Sequence, residues 1–389
     1  MVGKRLALFL DGTWNNIDSS TNVYRMHKAL LPAGADGIEQ RGYYDEGVGA
    51  GAAEKWRGSL GYGLSRNVLD AYRWLVENHA PDDEIFIFGF SRGAYTARSL
   101  AGVIATCGLL LPGAAMTAAE VYARYQHGKA VRPIWKIDYE KSKGRPVGAE
   151  EKRLLDNARR VPIRMIGVWD TVGALGVPFG NFPGLSERSF RFHNTNLSKI
   201  YQHAYHAMAI DEHRKAFKPT LWTRFRPVSP DPGGSSPPLA DQIVEQRWFV
   251  GAHSNVGGGV AGSDMSQLPL GWMRGKAERI GLAFAPVPLA GREHRGPIAD
   301  SFREFMGGVY SMWGLRGRFH RTIAAPTREV KGGFSDTINE TIDASVLDRW
   351  RADAGYRPPG LVEWSRRTGI DPAAVTAAVD ARTGAPVTA

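Results

Sequence analysis

Gly89-Phe90-Ser91-Arg92-Gly93 has the spacing in which a serine hydroxyl becomes a nucleophile. A sharp strand-to-helix turn lifts such a serine above the sheet. The glycines two before and two after leave room where neighbouring backbone admits no side chain. The setting fits, because the apolar run Glu84-Ile85-Phe86-Ile87-Phe88 precedes the motif and a helix-like stretch, 94–106, follows it. The helix then aims its positive end at a carbonyl that is gaining negative charge. A tight structural turn is the alternative reading of the same five residues.

A serine hydroxyl needs a base to take its proton, and the base needs a carboxylate to orient it. Around this turn type the order is serine, acid, histidine, the last two on loops at strand ends. Two downstream segments fit. The apolar run 163–169 ends in Asp170-Thr171-Val172-Gly173, so Asp170 sits beside a turn. The run 243–250 leads into Gly251-Ala252-His253-Ser254-Asn255-Val256-Gly257-Gly258-Gly259, which puts His253 on a glycine-rich loop. Asp211, within Ala209-Ile210-Asp211-Glu212-His213, is the rival acid. His203, His206 and His213 read as packing or hydrogen-bonding residues.

The tetrahedral oxygen of acyl transfer needs two backbone N–H donors. Arg92 follows the serine and is the expected source of one. Gly12 and Thr13, in Asp11-Gly12-Thr13-Trp14-Asn15-Asn16, follow the strand-like run 5–10 and are placed for the other. The competing reading has Asp11 and Asn15 merely capping a turn and a helix.

No cofactor or metal is expected. Gly47-Val48-Gly49-Ala50-Gly51-Ala52 nearly fits a dinucleotide fingerprint, but no helix opens cleanly there and no acidic residue ends a second strand at the required interval. It reads instead as a mobile loop near the site. No phosphate loop or His-Glu-x-x-His zinc motif occurs. Cys107, alone in the chain, excludes an internal disulfide, and its apolar neighbours mark it as a buried small hydrophobe.

The elements that must position these residues alternate between strand and helix, which predicts an α/β fold with a mostly parallel central sheet flanked by helices. Together with the serine turn, this is the α/β-hydrolase pattern. Strands are expected at 5–10, 42–44, 84–88, 163–169 and 243–250. Helices are expected at 21–31, 65–79, 94–106 and 201–211. A catalytic domain is read over 1–365. Within it, 112–160 opens with an alanine-rich helix at 115–125 and turns basic, with Trp135 and Tyr139 among its charges. It reads as a cap-like insertion or equally as a solvated connector. Ser229-Pro230-Asp231-Pro232-Gly233-Gly234 begins a flexible loop, and 366–389 is expected to be partly disordered.

The chain has 389 residues and a net charge of +10. Such a balance favours acidic partners, anionic membrane surfaces included, although the bases are dispersed and a generally positive surface is the plainer account. Charge alone suggests nucleic acid, and no recognisable module supports specific binding of it. No apolar run approaches the roughly 20 residues of a membrane span, and no secretory leader is evident at the N-terminus. A soluble cytoplasmic protein is expected, with any export independent of a signal peptide. The oligomeric state is not legible.

Several ordered motifs together carry a resemblance. They are Leu10-Asp11-Gly12-Thr13-Trp14-Asn15, Tyr44-Asp45-Glu46-Gly47-Val48-Gly49 and Gly89-Phe90-Ser91-Arg92-Gly93-Ala94-Tyr95. They continue with Val168-Trp169-Asp170-Thr171-Val172-Gly173, Ala204-Tyr205-His206-Ala207-Met208-Ala209-Ile210-Asp211-Glu212 and the segment from His253 to Gly259, with a weaker echo at Tyr356-Arg357-Pro358-Pro359. From about 4 to 361 the chain resembles a bacterial and fungal family of α/β-hydrolases. Its best-known members are phospholipase A-type lipase effectors of the type VI secretion system. The resemblance implies a triad of Ser91, an aspartate and His253, and a lipid ester as substrate. A serine esterase working through an acyl-enzyme is therefore expected. A non-catalytic binding or scaffold module that keeps the fold is the alternative.

Overall fold

Leu6, Leu8 and Leu10 face one side of strand β1 (Arg5–Leu10), while Ala7 and Phe9 face the other, and all are buried. The same division recurs in β3 (Glu84–Phe90), where Ile85 and Ile87 oppose Phe86, Phe88 and Phe90. A strand apolar at both parities must be covered on both faces, which is the condition of a parallel sheet between helical layers. The computed structural model describes residues 3–12, 20–47, 60–172, 197–228, 238–259, 264–286, 293–300 and 318–387. Thr13, the glycine-rich stretch from Val48 onward and the loop 229–237 lie outside the described residues.

In chain order, β1 leads to α1 (Asn22–Ala29), β2 (Gln40–Asp45), α2 (Leu60–Asn78), β3 and α3 (Arg92–Cys107). The antiparallel pair β4 (Leu109–Leu110) and β5 (Ala158–Arg159) then brackets helices α4 (Ala118–Gln126), α5 (Ile134–Ser142) and α6 (Ala149–Asn157). Next come β6 (Ile163–Trp169), β7 (Tyr201–Ala209), β8 (Thr223–Pro227), β9 (Ile243–Phe249), α7 (His253–Gly257) and α8 (Gln267–Glu278). The chain closes with β10 (Arg328–Val330), β11 (Gly333–Thr337), β12 (Glu340–Ile342), α9 (Ala344–Ala352), α10 (Pro359–Thr368) and β13 (Val379–Asp380).

Among the described residues the main sheet has eight strands, ordered β13-β12-β9-β7-β6-β3-β1-β2, all parallel except the β12–β13 edge pair. This is the expected α/β architecture. The core side of Leu6 and Ile85 is covered by α2 and α3 through Val68, Ala71, Tyr72, Leu75, Ala97 and Leu100. The opposite face meets α1 and α8 through Val23, Met26, Leu270 and Met273. Burying each such large side chain contributes about 1.5–3 kcal/mol. The chain steps from β1 outward to β2 and then returns to β3 on the other side of β1. Such a reversal leaves a crevice beyond the carboxyl ends of the two diverging strands. Ser91 and Gly12 follow those two ends.

Helices α4 and α5 lie alongside helix α3. Val121 of α4 reaches Cys107 through its carbonyl, a Cβ on Gly102 would meet the Tyr125 hydroxyl, and one on Gly108 would meet Ile134. These contacts lie along the second half of α3, whereas Ser91 stands at its start. The alanine-rich helix begins at Ala118, where Thr117 and Glu120 close a capping box, rather than at Ala115.

Segment 201–211, expected to be helical, is strand β7, hydrogen-bonded in parallel to β6 and β9. Its alanines favour a helix, but Ala204 faces one core, Tyr205, Ala207 and Ala209 a second, and Met208 a third. A helix there would open the sheet between β6 and β9, so tertiary pairing overrides local preference. The described part of the C-terminal segment adds to the sheet edge. β13 pairs with β12, Val379 and Ala381 are buried, and Trp364 Nε1 donates to the Ala381 carbonyl at 2.7 Å. Among the described residues no helix is long and apolar enough to cross a membrane.

Candidate active site

Ser91 sits between β3 and α3 at φ 56°, ψ −117°, a left-handed conformation that a non-glycine residue adopts only under constraint. The constraint is visible in the flanking glycines. A Cβ at Gly93 would lie 2.0 Å from the Leu10 carbonyl oxygen, and one at Gly89 would lie 2.5 Å from that of Gly93. The Ser91 N–H donates to the Trp169 carbonyl at 3.1 Å, tying the turn to the end of β6. Asp170, the next residue along, is also left-handed, at φ 40°. Two strained residues thus follow the ends of adjacent parallel strands.

His253 opens α7, separated from the end of β9 by three residues, and its backbone N–H donates to Glu212 Oε2 at 3.3 Å. Its Nε2 lies 2.9 Å from Ser91 Oγ and its Nδ1 lies 2.6 Å from Asp170 Oδ2. With an ionised Asp170 as acceptor, Nδ1 carries the proton and Nε2 is left to accept the serine hydroxyl. The imidazole is wedged between Phe90 and Phe217, with ring centroids 4.7 and 5.0 Å away. Burial lowers the His253 pKa below its ordinary 6.5, and Asp170 restores only part of the loss. The ring is therefore neutral at neutral pH.

Asp170 is 0% exposed. Burial alone would raise its pKa, but the Arg321 charge and the bond from His253 outweigh it and hold the carboxyl well below the usual range. Besides His253, the Ala209 N–H donates to its Oδ1 at 3.0 Å, and the Arg321 guanidinium grips both oxygens. The turn after it is held by His206, whose Nε2 accepts the Thr171 N–H at 3.1 Å. Burial first, and then the Arg98 charge, lower the His206 pKa to about 3, so this ring is a fixed neutral acceptor.

Asp211 meets neither nitrogen of His253. Its Oδ2 accepts from Gly251 N at 2.7 Å and from the Tyr356 hydroxyl at 3.0 Å. Glu212 pairs with Arg214, whose guanidinium lies 3.4 Å from the centroid of the Phe217 ring. These residues brace the loop that carries His253. Sequence patterning assigned no role to Glu212, Phe217 or Arg321. Glu212 at least stood within a recognised motif, and Tyr356 within the weaker C-terminal one.

Arg92 begins α3, so its backbone N–H lies in the helix's electropositive first turn. The Gly12 N–H donates to Asp11 Oδ1 at 2.7 Å, while Thr21 Oγ1 and the Tyr44 hydroxyl donate to Asp11 Oδ2. Asp11 thus pins the turn after β1, and Gly12 is already committed to it. Among the described residues no three His, Cys, Asp or Glu side chains come together as a metal site would require.

Residues 4–276 match the model of the type VI secretion system phospholipase effector Tle1-like catalytic domain. An uncharacterized protein of Saccharomyces cerevisiae is 29% identical over 242 residues, covering 57% of this chain and 33% of that protein. Two solved structures are similar at lower identity. One is an uncharacterized protein from Pseudomonas aeruginosa (19% identical, TM-score 0.42, 74% of this chain and 48% of that one). The other is the Tle1 effector bound to the VgrG spike of the type 6 secretion system (17%, TM-score 0.34, 68% and 53%). The chain therefore spans about a third to a half of the length of these relatives.

Proposed function

This chain belongs to the family of type VI secretion phospholipase effector Tle1-like catalytic domains, and we propose that it cleaves carboxylic esters of lipids through an acyl-enzyme on Ser91. One observation carries the reading: an unbroken hydrogen-bonded line from Ser91 Oγ through His253 to Asp170. In the first step Oγ attacks the ester carbonyl carbon as His253 Nε2 takes its proton. The tetrahedral intermediate collapses, and His253 returns that proton to the departing alcohol. Water, deprotonated by the same nitrogen, then releases the acid and restores Ser91. Asp170 keeps the ring in the tautomer that presents a bare Nε2.

The Arg92 amide is proposed as one oxyanion donor. With Gly12 engaged by Asp11, Thr13 is the better candidate for the second. A phospholipid substrate fits the family and the net charge of +10, which favours an anionic membrane surface.

The test is covalent labelling by a fluorophosphonate probe, with hydrolysis of a short-chain p-nitrophenyl ester in parallel. Wild type should label and turn over, and Ser91→Ala should do neither. Labelling that persists in Ser91→Ala overturns the assignment. A folded wild type that neither labels nor hydrolyses leaves the non-catalytic scaffold as the reading. Mass spectrometry of a digested lipid extract then identifies the ester attacked.

A further inference from the structure

Asp170 is gripped from behind by a residue 151 positions away in sequence. Arg321 Nη1 donates to Oδ1 at 2.5 Å and Nη2 donates to Oδ2 at 3.0 Å, with both side chains 0% exposed. The same two nitrogens also donate to the carbonyls of Ala209, at 2.6 Å, and Phe217, at 2.5 Å. One guanidinium thereby joins the turn after β6, the end of β7 and the segment whose Phe217 ring packs on His253.

The carboxylate has about four acceptor positions. Arg321 takes one on each oxygen and the Ala209 N–H takes a second on Oδ1, which leaves the second position on Oδ2 for His253 Nδ1. A buried ion pair gives a fold little that apolar side chains would not, so stability is a poor account of why a guanidinium is here. Direction is the better one. The left-handed backbone of Asp170 is strained, and its side chain needs an external hold.

The charges around the imidazole also balance in pairs. Asp170 is matched by Arg321 and Glu212 by Arg214, while His206, behind the Thr171 amide, is neutral and Ser91 is uncharged. Without Arg321, the Asp170 charge would act unopposed on His253 and favour the imidazolium.

We propose that Arg321 is a positioning residue of the hydrolytic site: its fork aims the Asp170 carboxylate at His253 Nδ1, and its charge offsets that of Asp170, so that the buried imidazole stays unprotonated, and free to accept a proton at Nε2, to lower pH. This rests on the Ser91–His253–Asp170 reading above.

The experiment measures the rate of fluorophosphonate labelling of the full chain from about pH 5 to about pH 8, counting labelled sites. Wild type should lose reactivity only below the ordinary histidine value of about 6.5. Arg321→Met should label on the order of tenfold to a hundredfold more slowly per site, with its acid limb moved up by about one pH unit. Arg321→Lys keeps the charge without the fork, so its limb should return toward wild type while its plateau stays low. A merely structural role would reduce the number of labelled sites and leave both the limb and the rate per site unchanged, which overturns the proposal. If Arg321→Met does not fold, the other two proteins decide. A wild-type limb at or above about 6.5, or a wild-type plateau in Arg321→Lys, is equally fatal. Ser91→Ala separates the two levels. Labelling in that variant defeats the triad itself, whereas its silence beside unmoved limbs in the Arg321 variants defeats only the positioning role.

Discussion

Tyr356 donates its phenolic hydrogen to Asp211 Oδ2 at 3.0 Å, and the Gly251 N–H donates to the same oxygen at 2.7 Å. The carboxyl is almost wholly buried. Burial raises its pKa from 3.8 to about 6, against the lowering effect of those two bonds. An acid whose folded pKa is raised favours the folded state while protonated. That contribution is complete below about 3.8 and is lost as pH rises through about 6. The rise corresponds to on the order of 3 kcal/mol. Asp211→Asn keeps an acceptor for Gly251 and removes the charge. It should therefore be more stable than wild type by up to that amount at about pH 8, and little different near pH 4. Thermal melts at the two pH values check this, and a stability difference independent of pH contradicts it.

The same variant separates the two candidate acids. Asp211 touches the loop backbone and Tyr356, while Asp170 touches the imidazole. Asp170→Asn should reduce kcat by about 10⁴, because an amide can no longer enforce the tautomer with a bare Nε2. Asp211→Asn should stay within about tenfold of wild type, since it leaves that ring untouched. Comparable losses on a p-nitrophenyl ester would remove the ground for assigning the acid to Asp170.

The parts that were legible share a physical trait: their constraints are local. A serine needing a strained turn must have small neighbours, and Gly89 and Gly93 are written beside it. Asp170 follows one apolar strand and His253 the short loop after another, so their addresses could be read from the runs before them. β7 was hidden because helix preference is local and strand pairing is not. Nothing within Tyr201–Ala209 announces that β6 and β9 lie on either side. Arg321 was hidden for the same reason. It stands among Arg318, Phe319 and His320, and only a carboxylate 151 positions earlier distinguishes it from a surface cation.

The closeness of α3 to β1 makes a second pair of variants informative. A methyl at Gly93 would be forced to 2.0 Å from the Leu10 carbonyl oxygen, whereas one at Gly275, inside α8, meets nothing within 4 Å. Gly93→Ala should destabilise by about 1–3 kcal/mol and reduce activity by about a hundredfold as Ser91 shifts. Gly275→Ala should instead stabilise by roughly 0.5–1 kcal/mol, by limiting the unfolded chain and favouring the helix. Urea midpoints for the two should move in opposite directions. If they move together, close approach at the serine turn is not what sets the requirement for glycine.

Removing the chain beyond Arg367 tests whether the C-terminal segment belongs to the core. Val379 is 1% exposed and pairs with Ile342, and the Ala381 carbonyl accepts the Trp364 indole N–H. Truncation strips an apolar contact from one face and leaves a buried indole donor without its acceptor. It also opens β12 as an edge strand. The first two effects together should cost on the order of 3–5 kcal/mol, and the open edge should favour aggregation on concentration. A urea midpoint equal to that of the full chain would mean that β13 adds nothing to the sheet. A lowered midpoint with an unchanged labelling rate at Ser91 would place the loss in the fold's far edge, away from the site.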